Sequence, residues 1–239
     1  MVLREETIEA LVAKYIKDNT VLAFGTSAAS KHFIKKLAFK IEAEGLHVKV
    51  VATSRDIAAQ LASLGIPLAS INEDEIDLAV EFVDQVDKAF NYIKRESSSF
   101  VRDKMVAQSA DDLIVITEEK NYVNRLHGFI PFEICIFGWK RTMLQLQKLG
   151  EAKLRMVAGK PFRTETNHFV IDVNVDEIYS LEELEFQAKD VPGVLETGLF
   201  IGYADRILLH NGKLTMKSRL DYSKQDKIDL SETAKAISL

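Results

Sequence analysis

The chain has 239 residues, 47% hydrophobic and 28% charged, and a net charge of −5. A chain of that length buries about 70% of its unfolded surface in one or two ordinary domains, so global disorder is excluded. The mild acidity gives no field for nucleic acid or an anionic membrane, and no run of 18 apolar residues exists to span a bilayer. Cys135 is the single cysteine, which excludes an internal disulfide framework and a cysteine-based zinc site. The N-terminus, MVLREETIEA, carries two acids where a signal peptide needs basic then apolar residues, so a cytoplasmic protein is expected.

Residues 3–17 form an amphipathic helix pattern with Ile8, Leu11, Val12, Tyr15 and Ile16 on one side. VLAF (21–24) reads as a buried strand ended by Gly25, and 28–44 as a helix stopped by Gly45. HVKVVA (47–52) is a second strand, followed by a helix capped at Thr53-Ser54 and ended at Gly65. IDLAVEFV (76–83) is a third strand, 100–110 a helix and DLIVIT (112–117) a fourth strand. This alternation predicts an α/β fold, a Rossmann-like parallel sheet wound with helices.

After Lys120 the rhythm changes. Residues 131–137 and 154–158 read as strands around a helix at 140–149, and 168–175 as an alternating strand. Ser180 with Glu183 makes a capping box for a helix over 180–189, and 193–201 reads as one more strand. That is a small inserted α+β unit of ferredoxin-like type. Residues 204–217 form a hairpin pattern turning at Asn211-Gly212. The expected division is a sheet-wound domain over 1–126 and 204–220, an insert over 127–203 and a tail over 221–239.

The 11 glycines never lie closer than four positions apart, which excludes clustered dinucleotide and P-loop cradles. Ligands of an open parallel sheet sit beyond the carboxyl ends of its strands. Three places qualify. Gly25-Thr26-Ser27 either offers backbone N–H groups to an anion or is a plain helix cap. Glu81 and Asp84 either move protons or form a solvated strand end. Lys94 and Asp103 either stabilise an oxyanion or form a surface ion pair. The five histidines share no metal-ligand spacing, so no metal is expected.

At these residues the sequence resembles the type A ribose-5-phosphate isomerase family, in order over roughly 10–217. The family's first loop, G-T-G-S-T, stands here as Gly25-Thr26-Ser27-Ala28-Ala29. Its T-S plus G-I-P appears as VATS and LGIPL, its I-D…D-G-A-D-E as IDLAVEFVDQ, and its I-K-G-G-G…R-E-K as IKRESSSFVRDKMVA. Its later blocks appear as ITEEKNYVNRLHGFIPFEI, TETNHFVID and VPGVLETGLF. The resemblance implies interconversion of ribose 5-phosphate and ribulose 5-phosphate through an enediolate, in the pentose phosphate pathway of carbohydrate metabolism. It implies no cofactor, a phosphosugar as the partner, and a homodimer or homotetramer.

Residue by residue, the resemblance makes Asp103 the base, Asp84 the ring opener, Lys94 the enediolate stabiliser and Glu81 the residue holding Lys94. Gly25, Thr26, Ser27 and Lys120 would bind the substrate, Lys120 at its phosphate. The departures fall in the same loops. Asp103 stands where the family has Glu, and Glu81 where it has Asp. Phe82 and Val83 replace Gly-Ala, and Arg95-Glu96-Ser97 replace three glycines. Asp103→Glu is expected to restore the family's reach. A catalytically silent sugar-phosphate binder and an isomerase of another phosphosugar are the alternatives.

Overall fold

The computed structural model describes residues 5–175, 178–211 and 214–219; the 221–239 tail lies outside them. The chain begins α1 (Glu5–Tyr15), β1 (Thr20–Phe24), α2 (Ala28–Glu44), β2 (Val48–Ala52), α3 (Arg55–Ser63) and β3 (Leu78–Phe82). It continues β4 (Gln85–Asp87), β5 (Tyr92–Ile93), α4 (Phe100–Ser109), β6 (Leu113–Glu118), a 3-10 turn (Glu119–Asn121) and β7 (Tyr122–Val123). Then come β8 (Gly128–Ile134), α5 (Trp139–Leu146), β9 (Glu151–Leu154), β10 (Met156–Val157) and β11 (Lys160–Pro161). The last are β12 (Phe169–Val175), α6 (Leu181–Lys189), β13 (Val194–Thr197), β14 (Leu199–Phe200), β15 (Arg206–His210) and β16 (Leu214–Ser218).

The main sheet has the order β16-β15-β6-β3-β1-β2, and all its pairings are parallel except β15 with β16. β15 and β16 pair antiparallel as the expected hairpin requires, with Gly212 outside the described residues. The chain therefore leaves β1 towards β2 and returns to β3 on β1's other side. Between β1 and β3 lies the point where the winding reverses, and a crevice opens there beyond the carboxyl ends.

Strand pleating sorts the core. Leu22, Phe24, Val80, Phe82, Ile114 and Ile116 pack with α1, α2 and α3 side chains such as Leu11, Phe33, Leu37 and Ile57. The alternate residues Ala23, Ala79, Leu113 and Val115 pack on the other face with Tyr92, Val106 and Phe200. Side chains alternate along a strand, so Glu81 shares the face of Ala79, the one covered by α4.

The second sheet, β13-β8-β12-β9, is antiparallel, and α5 and α6 complete a β-α-β-β-α-β unit within residues 128–197. That order is the ferredoxin-like arrangement. Ser180 caps α6 by accepting from the Glu183 N–H at 3.1 Å. One expected strand is divided: 193–201 splits at Gly198, β13 joining the second sheet and β14 a small third sheet with β5, β4 and β7. The reason is steric. The Gly198 N–H donates to Pro131 O (2.8 Å), and its carbonyl accepts from the Lys94 N–H (2.9 Å). A Cβ there would lie 2.5 Å from Lys94 O and from Pro131 Cγ.

Candidate active site

Three of the predicted residues converge. Glu81 ends β3 on the α4 face. The chain then doubles back through the β4–β5 hairpin, where Asp87 accepts from the N–H groups of Ala89 (2.8 Å) and Asn91 (2.9 Å). Phe90 takes φ +67 at the tip. The hairpin returns Lys94 beside Glu81, and the first turn of α4 supplies Asp103. The Lys94 ammonium hydrogen-bonds Glu81 and lies 2.5 Å from Asp103 Oδ2. None of the three is more than 1% exposed. Asp103 Oδ2 also accepts from the Ser97 hydroxyl at 2.5 Å. One oxygen of each carboxylate, Glu81 Oε1 and Asp103 Oδ1, has no hydrogen-bond partner.

Two carboxylates and one ammonium leave the cluster one negative charge in excess when all are ionised. Burial pushes the Glu81 carboxyl up to about 7; Lys94 counters that rise and Asp103 adds to it. Burial would lower Lys94, yet Asp103 and Glu81 outweigh it and hold the ammonium above its ordinary value. Tyr92 is driven well above its usual range, first by burial and then by the charges of Glu81 and Asp103.

The cluster lies beneath a cleft of about 760 Å³ lined by Thr26, Ser27, Lys31, Asp84, Arg95, Ser97 and Arg155, among others. Asp84 faces this cleft and accepts from the Arg95 N–H at 2.6 Å. Gly25 separates the cleft loop from the cluster: a Cβ there would lie 2.5 Å from Glu81 Oε1 and collide with Lys94 Nζ. Thr26 Oγ1 is 2.9 Å from the Ser98 hydroxyl that donates to it, and Ser27 Oγ caps α2 by accepting from the Ser30 N–H at 2.9 Å. The cap reading of Ser27 is thus observed, and the α2 N-terminus still opens on the cleft.

Lys120 is not brought to this place. It sits on the 3-10 turn, three-quarters exposed, 2.5 Å from Glu118, and does not line the cleft. Lys31, Arg95 and Arg155 are the cations that line it. Sequence reasoning missed all three. Lys31, at the fourth position of α2, was the one a helix-terminus argument could have found. Lys104, the last residue of the R-E-K block, is tied elsewhere, 2.7 Å from both Glu185 and Glu196.

No group of three or more His, Cys, Asp or Glu suited to a metal occurs among the described residues, and among them no helix is long and apolar enough to cross a membrane. What the site offers is a carboxylate, a fixed ammonium and a second carboxylate at a sheet switch point. That is the equipment of an enzyme that moves a proton between adjacent carbons of a sugar, an aldose–ketose isomerase. The family model for ribose 5-phosphate isomerase A (phosphoriboisomerase A) matches residues 49–213. The chain is 33% identical over 201 residues to ribose-5-phosphate isomerase A of Bacillus mycoides, covering 82% of this chain and 90% of that one. Ribose 5-phosphate isomerase from Plasmodium falciparum superposes with TM-score 0.83 at 26% identity, over 90% of this chain and 97% of that one. A D-ribose-5-phosphate isomerase solved in complex with phospho-erythronic acid gives TM-score 0.81 at 27% identity, over 91% of this chain and 100% of the other. The chain belongs to the ribose 5-phosphate isomerase A family.

Proposed function

We propose that this site interconverts ribose 5-phosphate and ribulose 5-phosphate. The observation that carries the reading is the convergence of Glu81, Lys94 and Asp103 behind the wall of the switch-point cleft, with Asp103 bonded to the Ser97 that lines it. Asp84 at the cleft wall assists ring opening. Asp103 then removes the C2 proton, and the electrons of that C–H bond form the C1–C2 double bond of an enediolate. Lys94 faces the negative charge that develops on O1. Asp103 returns its proton to C1, the O2 proton passes to O1, and C2 becomes the ketone. Glu81 holds Lys94 in place throughout.

Substrate reaches Asp103 only when Ser97 gives up its hydrogen bond and the 25–27 loop admits the sugar. The phosphate end sits at the α2 N-terminus, on Thr26, Ser27 and the backbone N–H groups of the first turn, with Lys31 beside it. Lys31 is shared with Asp56 at 2.7 Å, so part of its charge is already engaged.

The division into 1–126 with 204–220 and an insert over 127–203 is part of this reading. It is supported by the second sheet, all of whose strands fall between Gly128 and Thr197. So is a homodimer or homotetramer, which light scattering on the purified protein checks. The silent binder is not favoured, because every charge the chemistry needs is kept. A coupled assay of ribulose 5-phosphate formation tests the reading; turnover absent in wild type contradicts it.

A further inference from the structure

The TETNHFVID block and the glutamate of FIPFEI lie outside the cleft chemistry, yet they meet at one buried point. Glu133, on the interior strand β8 of the second sheet, is fully buried. Its Oε1 accepts from the Thr164 hydroxyl (2.7 Å), from the Thr166 hydroxyl and from His168 Nδ1 (2.9 Å). Its Oε2 accepts from the Ser99 hydroxyl (3.3 Å) and the Val101 N–H (3.2 Å). Ser99 is the N-cap of α4, and Val101 stands in its first turn. The turn that supplies the threonines also grips the preceding loop: the Glu165 N–H donates to Ser98 O at 2.8 Å.

A carboxylate removed from water is costly unless several donors converge on it. Here five do, two of them from the start of the helix that carries Asp103. From Glu133 the link continues to the catalytic carboxylate. The Ser99 N–H donates to Ser97 Oγ (2.9 Å), and Ser97 Oγ donates to Asp103 Oδ2. The Asp103 N–H donates to Ser99 O (3.1 Å), closing the first turn.

We propose that Glu133 is a positioning residue for proton transfer: it fastens the first turn of α4 to the second sheet and so sets where the Asp103 carboxylate stands. This rests on the isomerase reading and on Asp103 as its base. Of the five donors only the Val101 N–H is fixed in polarity. A glutamine of equal shape keeps its carbonyl there and turns its amide N–H groups to the turn side, where Thr164, Thr166 and His168 must reverse from donating to accepting. The charge that drew the donors together is gone, and the hold on the first turn of α4 loosens.

The test is Glu133→Gln, assayed with ribose 5-phosphate and with its C2-deuterated form. A fraction of misfolded protein lowers kcat but leaves the isotope effect untouched. A displaced base slows the proton step itself. The expected result is a kcat lower by about ten- to a hundredfold, KM within about threefold of wild type, and a larger deuterium isotope effect on kcat. Thr166→Val removes one turn-side donor and a 3.3 Å contact with the Ser99 hydroxyl but leaves both helix-side bonds to Glu133, and is expected to keep kcat within about threefold. Should Glu133→Gln fail to fold, Ser99→Ala removes one of the two helix-side donors, leaving the Val101 N–H, and is expected to raise the isotope effect in the same direction. An unchanged kcat, or a lowered kcat with an unchanged isotope effect, overturns the inference while leaving the isomerase reading intact. Wild-type protein without turnover overturns both.

Discussion

The Lys94 ammonium lies 2.5 Å from Asp103 Oδ2 while the same nitrogen hydrogen-bonds Glu81, so two carboxylates from different elements share one cation out of reach of solvent. In the family the shorter acid stands on the strand and the longer on the helix; here the two lengths are exchanged. The exchange lengthens the acid on the strand and shortens the acid on the helix by one carbon–carbon bond each. A compensating pair of this kind makes single reversals harmful. Asp103 already touches Ser97 and Lys94 and is fully buried, so Asp103→Glu overpacks the site rather than restoring reach. Overpacking costs about 1–3 kcal/mol. The expected outcome is a fall in kcat of about tenfold or more for Asp103→Glu. Glu81→Asp with Asp103→Glu recovers most of it. Strict additivity of the two single changes in a double-mutant cycle contradicts the coupling.

Gly25 has no room for a side chain. Its Cβ would fall 2.5 Å from Glu81 Oε1 and against Lys94, both buried and charged. Gly25→Ala must push that pair away from Asp103 or open the 25–27 loop. A loss of kcat of about a hundredfold is expected, of the size that a misplacement near 1 Å brings. Near-wild-type kinetics in the folded variant would place the reacting atoms elsewhere.

Gly198 holds the Lys94 backbone from the other side. Gly198→Ala sets a Cβ 2.5 Å from Lys94 O and from Pro131, where neither is the free end of a flexible chain. Destabilisation of about 1–3 kcal/mol is expected from urea unfolding. A midpoint equal to that of wild type refutes the close approach.

Glu81 makes stability depend on pH in a stated direction. Its carboxyl titrates at about 7 when folded, against an ordinary value of 4.5. The folded state therefore binds the extra proton across that interval. The stability this gives is complete below about 4.5 and is lost as pH rises towards 7, on the order of a few kcal/mol. Urea unfolding of wild type and Glu81→Gln at pH 5 and pH 7.5 checks this. The variant should gain on the wild type as pH rises; parallel changes contradict it.

Much of this was legible in the residues, and the losses have physical causes. Strands such as 48–52 and 169–175 and helices such as 28–44 announced themselves through apolar runs and glycine stops. The charged trio was legible by resemblance, because the motif positions survive. The β4–β5 hairpin that delivers Lys94 was not. Its strands are two and three residues long, and its tip holds φ +67 with Phe90, a residue type that gives no turn signal. Strand 193–201 read as one element because only a tertiary approach to Lys94 and Pro131 divides it. Lys120 was carried to the phosphate by motif position alone; the turn that bears it pairs it with Glu118. Glu133 is one polar residue in the run FIPFEI, and its five donors come from segments far off in sequence.

The measurement that bears most directly on the central claim is steady-state turnover of ribose 5-phosphate by the purified wild type beside Asp103→Asn. The account predicts ribulose 5-phosphate formation by the wild type and a loss of about 10²–10⁴-fold in kcat for the variant, which keeps the shape and removes the base. Wild-type protein that forms no ribulose 5-phosphate above buffer, or an Asp103→Asn variant that turns over as fast as wild type, contradicts it.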